Sequence, residues 1–160
     1  MGEPTRVRVL LLSPRNRLLL IKYRNTGPTG AARPCWITAG GGREADEPIE
    51  RAALREIREE TGLSSVRLGP VVWYGEDSHR SGDWKITFKE HFILAFATTE
   101  TIIDHDWTEH ERNQIIEMRW WTIEELGTTT ETIYPVGIAD LLEPLLSGSY
   151  PAEVVNLPPI

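Results

Sequence analysis

The stretch from Gly40 to Leu63, GGGREADEPIERAALREIREETGL, limits what this chain can fold into more than any other. Three glycines run into a segment whose apolar residues, Ile49, Ala52, Ala53 and Ile57, recur at helical spacing, with Leu63 just beyond. The spacing predicts a helix from about Glu47 to about Thr61 with one buried stripe. Asp46 is the expected N-cap. Glu47 and Pro48 suit a first turn, where a missing N–H costs nothing and negative charge meets the positive end of the dipole. Gly62 is the expected C-cap.

Beside the apolar stripe lies an acidic one. Glu56 stands one turn before Glu59 and Glu60, so three like charges share one side of the helix end. Each such pair costs about 0.2–0.5 kcal/mol in a bare helix. A cation among them removes that cost. Oxygen-only, carboxylate-rich ligands suit Mg²⁺ or Mn²⁺, whereas zinc usually takes Cys or His as well. Arg55, one turn before Glu59, is expected to orient it rather than to touch substrate. The alternative for any such charge run is a solvated helix face.

Read in full, Gly41, five residues, Glu47, seven residues, then Arg55-Glu56-Ile57-Arg58-Glu59-Glu60-Thr61-Gly62-Leu63 resembles the Nudix box, G-x5-E-x7-R-E-U-x-E-E-x-G-U with U a bulky aliphatic. Every specified position between 41 and 63 is filled. The flanks are similar too. Trp36-Ile37-Thr38-Ala39-Gly40-Gly41 resembles the family's W-x-L-P-G-G, with Ala39 in place of proline. Arg119-Trp120-Trp121 followed by Glu124-Glu125-Leu126 resembles the phrase after the last core strand. The resemblance implies the Nudix fold, an α/β/α sandwich around a central mixed sheet. It also implies a hydrolase of phosphorus anhydrides that uses Mg²⁺ or Mn²⁺, with Glu56, Glu59, Glu60 and the Gly40 carbonyl as metal ligands. Glu47 is implied either as a ligand through water or only as a charge favouring the helix N-terminus. Many members are dimers, so a homodimer is open by analogy.

Composition agrees with one α+β domain over residues 1–160: 40% of residues are hydrophobic and 26% charged. A net charge of −7 argues against a nucleic-acid polymer as partner, because phosphate contact needs a basic surface. It leaves room for a small nucleoside diphosphate derivative, since a bound cation inverts the local charge. Cys35 is the only cysteine, so no intrachain disulfide forms, and it reads as a core residue. No apolar run reaches the roughly 18 residues that span a bilayer. The N-terminus lacks a signal peptide's pattern, so the cytoplasm is the expected compartment.

Along the chain, Thr5–Ser13 and Leu18–Tyr23 read as a hairpin, Asn25–Pro34 as a loop, and Trp36–Ala39 as a short strand. Val66–Tyr74 is apolar, Glu76–Asp83 a polar turn, and Trp84–Ala97 the strongest strand run. Thr98–Trp107 is a loop, Met118–Thr122 a strand, and Ile123–Leu126 one helical turn. A closing helix over about 135–147 has Val136, Ile138, Ala139, Leu142 and Leu145 as inner positions, and the tail from Tyr150 reads as extended. Strands around one long helix with a closing helix mean an α+β layered domain.

The candidate catalytic residues are Glu59, Glu90 and Arg55. The general base stays open among Glu59, Glu90 and the pair Glu109 and Glu111, which read as loop residues before the last strand. Glu90 stands out because a carboxylate on the mostly apolar face of a strand needs a partner or a raised pKa. His79, His91, His105 and His110 have no metal-ligand spacing and read as surface or packing residues. Arg6, Arg8, Lys22, Arg24 and Arg33 read mostly as surface charges, with phosphate contact as the alternative. Trp36, Trp84, Trp120 and Trp121 are expected in the core or on a sheet face. For Trp73, Tyr74 and Trp107, stacking on a base is the alternative to core packing. Three functions follow: a metal-dependent hydrolase of nucleoside diphosphates linked to a second moiety, a nucleotide-sensing module of the same fold, and an isoprenoid diphosphate isomerase, which would need a cysteine in the pocket.

Overall fold

The computed structural model describes residues 4–26, 33–103 and 107–158. Among these, seven strands form one mixed sheet. They are β1 Thr5–Leu12, β2 Leu18–Thr26, β3 Arg33–Gly42, β4 Val66–Ser81, β5 Trp84–Ala97, β6 Ile115–Trp121 and β7 Val155–Asn156. Their order across the sheet is β6-β2-β3-β1-β5-β4-β7. The helices are α1 Ile49–Thr61, α2 Glu109–Gln114, α3 Ile123–Thr128 and α4 Ile138–Leu146.

The central strand β1 runs parallel to β5 and antiparallel to β3. A central strand is covered on both faces, and Val9, Leu10, Leu11 and Leu12 are accordingly all buried. Side chains alternate across the sheet, so β1 feeds two cores. Val7, Val9 and Leu11 pack with Ala52, Ala53 and Ile57 of α1. Leu10 and Leu12 pack on the opposite face with Leu126 of α3 and with Ile138, Leu142 and Leu145 of α4. Two helical layers around one sheet are the α/β/α sandwich expected.

Several expectations need correction. β1 and β2 meet only beside their turn, at Leu12 and Leu18. β3 lies between them over the rest of their length, so they are not an extended hairpin. The segment read as a loop from Asn25 is shorter: β2 continues to Thr26 and β3 starts at Arg33, while residues 27–32 lie outside the described residues. The expected turn over Glu76–Asp83 is strand down to Ser81. Its polar residues pair across to β5, with Ser78 and Thr87 hydroxyls 2.9 Å apart. β5 joins β1 only from Lys89 onward, so the far part of β4–β5 is a two-stranded arm. Polar alternation suits such an arm, and Trp84 near its tip is 77% exposed rather than packed.

The long helix begins at Ile49 with Pro48 as its N-cap. Asp46 does not cap it: its φ of 61° turns the chain before the helix. Gly62 closes the helix in the left-handed region, φ 74°, as expected. Glu109 and Glu111 belong to a helix, not a loop, capped by a reciprocal Thr108–Glu111 box. The closing helix starts at Ile138, leaving Val136 79% exposed instead of inward. The tail is more than extended, because β7 adds to the sheet edge parallel to β4. No helix among the described residues is long and apolar enough to cross a membrane.

Candidate active site

The site begins where the glycine run leaves the sheet. Gly40 pairs with Arg8 of β1 at a φ of 141°. A Cβ there would lie 2.0 Å from the Val7 carbonyl oxygen, so only glycine fits. The Gly40 N–H donates to Glu60 Oε1 at 2.8 Å. At Gly41 a Cβ would lie 2.6 Å from Glu56 Oε1. The missing side chains therefore form the cradle in which the end of α1 rests its carboxylates.

Each box glutamate has its own surroundings. Glu60 is 1% exposed, and its Oε2 accepts from the Tyr23 hydroxyl at 3.0 Å. Burial pushes its carboxyl up to about 8, against the pull of the Gly40 N–H, and the charge of Glu56 pushes the same way as burial. Burial also raises Glu56, opposed by Arg55. Glu59 is the most open, with 41% of its side chain exposed. Among the described residues no three His, Cys, Asp or Glu side chains stand together as a ready metal cluster. The donors at this helix end nevertheless suit a hard divalent cation, being oxygens alone around a cradle that a Cβ would fill.

Arg55 ties the group together. Its Nε and Nη2 both donate to Glu47 at 2.9 Å, and Nη2 reaches the Gly42 carbonyl at 3.0 Å. Nη1 donates to Glu56 at 3.1 Å and to Glu59 at 3.4 Å. The shortest bonds thus go to Glu47, not to Glu59. This fork holds the Glu47 carboxyl down at about 2. Trp107 fastens the segment before α2 to the end of α1, its Nε1–H donating to the Glu60 carbonyl at 2.6 Å.

Gly40 and Gly41 also line a cavity of about 700 Å³. Arg6 and Arg8 line it from the sheet face opposite α1, because they alternate with Val7 and Val9 and share a side with Leu10 and Leu12, while Tyr23 lines it from the α1 side. On its floor the Arg8 Nε donates to Glu90 Oε2 at 2.6 Å. Burial works against the charge on Arg8, and Glu90, helped by Tyr23 and Glu60, more than offsets it. Arg6 donates to Asp77 at 3.4 Å and lies 3.4 Å over the Phe88 ring. His79 Nε2 contacts Asp77 Oδ2 at 2.8 Å.

Several residues read as peripheral therefore belong to the site. Arg6 and Arg8 are not surface charges, and His79 and His110 line the cavity. Cys35 is buried in the core as expected, yet it borders the cavity as well. Lys22 and Arg24 are engaged elsewhere, with Glu131 and the Asn113 carbonyl. His105 and the Arg33 side chain lie outside the described residues. Trp73 is buried beside Phe92, and the Tyr74 ring packs at a tilt against His91. A signal for the arginines existed: two cations alternate with valines on a strand otherwise apolar on both faces.

The chain is similar to known proteins. Diphosphoinositol polyphosphate phosphohydrolase 2 of Homo sapiens is 32% identical over 118 residues, covering 74% of this chain and 59% of that protein. The RNA pyrophosphohydrolase of Wolbachia pipientis wMel is 28% identical over 107 residues, covering 57% of this chain and 60% of that protein. The chain thus spans less than two thirds of the length of these curated relatives. A crystal structure of a NUDIX-family hydrolase from Clostridium perfringens aligns with a TM-score of 0.64 over 92% of this chain and 98% of that one. At 18% identity that likeness shows the fold alone. A NUDIX domain model matches residues 2–140, and with that match over most of its length the chain belongs to the NUDIX family.

Proposed function

We propose that the chain is a metal-dependent pyrophosphohydrolase acting on a nucleoside diphosphate linked to a second moiety. The observation that carries this reading is the glycine junction. Gly40 and Gly41 touch Glu60 and Glu56 on one side and line the cavity on the other, so a ligand in the cavity brings its diphosphate to the carboxylates. The relatives' names, with phosphohydrolase and pyrophosphohydrolase in them, support the same reaction class.

Glu56, Glu59 and Glu60, with the Gly40 carbonyl, would hold Mg²⁺ or Mn²⁺, which when bound supplies positive charge against the diphosphate and activates water. The chain's own groups do the rest. Arg55 keeps Glu47, Glu56 and Glu59 in place through its fork of hydrogen bonds. Glu59, the least enclosed of the three, takes the proton from the attacking water. Glu90 acts as the anchor of Arg8 on the cavity floor, and the Glu111 carboxylate is occupied in capping α2. Water oxygen bonds to phosphorus, the anhydride P–O bond breaks, and a nucleoside monophosphate leaves with the phosphorylated second moiety.

The test is a panel of nucleoside diphosphate derivatives incubated with Mg²⁺ or Mn²⁺. Release of nucleoside monophosphate is expected, and a chelator should stop it. Tight nucleotide binding with no product under either ion would replace this reading with the sensing module.

A further inference from the structure

Leu157 and Pro158, the last described residues, return to the cavity, and they lie beyond residue 140, where the match to the NUDIX family ends. β7 pairs Val155 with Trp73 and Asn156 with Tyr74, and the Leu157 N–H donates to the Tyr74 carbonyl at 2.7 Å. This short ladder sets the backbone so that Leu157 and Pro158 form part of the cavity lining. Leu157 packs against the core on the α4 side of the sheet. A Cβ on Gly75 would stand 3.6 Å from the Leu157 Cβ and 3.7 Å from the Phe92 ring, so glycine there leaves the floor between them open.

A second apolar segment stands across from the tail. Tyr134 and Pro135 line the cavity, and the Tyr134 N–H donates to the Trp36 carbonyl on β3 at 3.0 Å. Strand order places β3 on one side of β1 and β5, and β4 with β7 on the other. The two segments thus flank a floor holding Arg8 and Glu90. On that floor Arg8 is paired with Glu90 and Arg6 with Asp77, while Glu76, which also lines the cavity, is exposed. A slot with apolar sides and internally paired charges accepts a flat, uncharged group far better than a second cluster of phosphates.

We propose that Leu157 and Pro158, facing Tyr134 and Pro135, form the wall that selects the base of a nucleoside diphosphate substrate. This assignment rests on the hydrolase reading and adds the part of the substrate that the tail recognises. The diphosphate lies at the Gly40–Gly41 end, and the base enters between the tail and the Tyr134 segment. The tail then acts on affinity for the nucleoside and not on affinity for the diphosphate.

Calorimetric titration of the full chain in Mg²⁺ tests this with probes that resist hydrolysis. These are the α,β-methylene diphosphates of adenosine and uridine, and methylenediphosphonate as the control without a base. Leu157→Ala combined with Pro158→Ala should weaken at least one nucleoside probe about tenfold and leave methylenediphosphonate unchanged. Pro158→Ala alone, at an exposed position, should move affinity the same way to a smaller extent and serves if the double variant does not fold. Equal weakening of all probes, or no change in any, overturns the wall. Binding of methylenediphosphonate without any preference for the nucleoside probes also overturns it, while leaving the hydrolase reading standing. Failure of every probe to bind the unaltered protein removes the hydrolase reading and the wall with it.

Discussion

The two ends of this site are built on opposite plans. At the α1 end, residues close in sequence make most of the contacts: Gly40, Gly41, Glu47, Arg55, Glu56, Glu59 and Glu60 meet within one loop and one helix, and Tyr23 and Trp107 reach Glu60 from farther along the chain. At the cavity end, Arg8 of β1 meets Glu90 of β5, Arg6 meets Asp77 of β4, and the tail supplies Leu157. The first end gathers Glu47, Glu56 and Glu59 around one guanidinium and leaves Glu59 open, with 41% of its side chain exposed. The second sets two arginines against two carboxylates from other strands, Arg8 on Glu90 and Arg6 on Asp77, with Arg6 also 3.8 Å from Glu90 and His79 also on Asp77. A reaction centre needs groups that can exchange protons and ligands, whereas a binding floor needs fixed shape and little net charge. Arg8 couples the two ends, since its charge also acts on Glu60.

The contrast can be broken most forcefully at Arg8. Arg8→Met leaves Glu90, 5% exposed, without its closest partner, and should cost about 3–5 kcal/mol of stability in urea unfolding. Adding Glu90→Leu should restore much of that loss. If the single variant were as stable as the parent, the floor would not be a buried pair.

At the other end the effect should fall on turnover instead. Glu59→Gln should lower turnover at least about a hundredfold with the melting curve little changed, because its side chain is largely open. Turnover like that of the parent would move the proton transfer to another residue.

Neighbouring glycines sharpen the comparison further. Gly40→Ala forces a Cβ against backbone at Val7 and should cost roughly 1–3 kcal/mol, since the strand itself must shift. Gly41→Ala meets only the Glu56 carboxylate, the end of a flexible side chain. It should therefore spare stability and depress turnover. Urea unfolding and activity on both variants give the readout, and a reversed pattern would mean the cradle is misassigned.

The last effect is one of pH. The Glu60 carboxyl is raised from 4.5 to about 8, so between those values the folded protein holds a proton that the unfolded chain has lost. Stability of the metal-free protein should then be fully present below about 4.5 and decline as pH rises through 8. Glu47 runs the other way: its carboxyl sits at about 2, so its contribution is present above 4.5 and lost only as pH falls toward 2. Unfolding curves between pH 5 and 8 for the parent and Glu60→Gln separate the two, and the slope should flatten in the variant.

Legibility followed the same division. The helix, its apolar stripe and its Gly62 cap were readable because each depends on residues within a turn or two. β5 was readable over its whole length because its first part alternates and its second is a nearly unbroken apolar run. The start of α1 was misread because Glu47 and Arg55 bind each other across two turns, leaving Pro48 as the cap. The arm was misread as a turn because its polar residues look like a loop until β5 pairs with them. Glu90 could be singled out as needing a partner, but nothing local names Arg8, which lies 82 positions away.

By itself, then, the sequence determined the family and the short-range machinery: a glycine loop, an acidic helix end and the arginine that braces it. Those depend on helical spacing and on backbone conformations that only glycine adopts. Tertiary structure alone decided which charges are buried and paired, that the glycine junction and the arginines of β1 line one cavity, and that the tail comes back to line it. Strand order brings these residues together, and strand order arises from long-range pairing that no local pattern encodes.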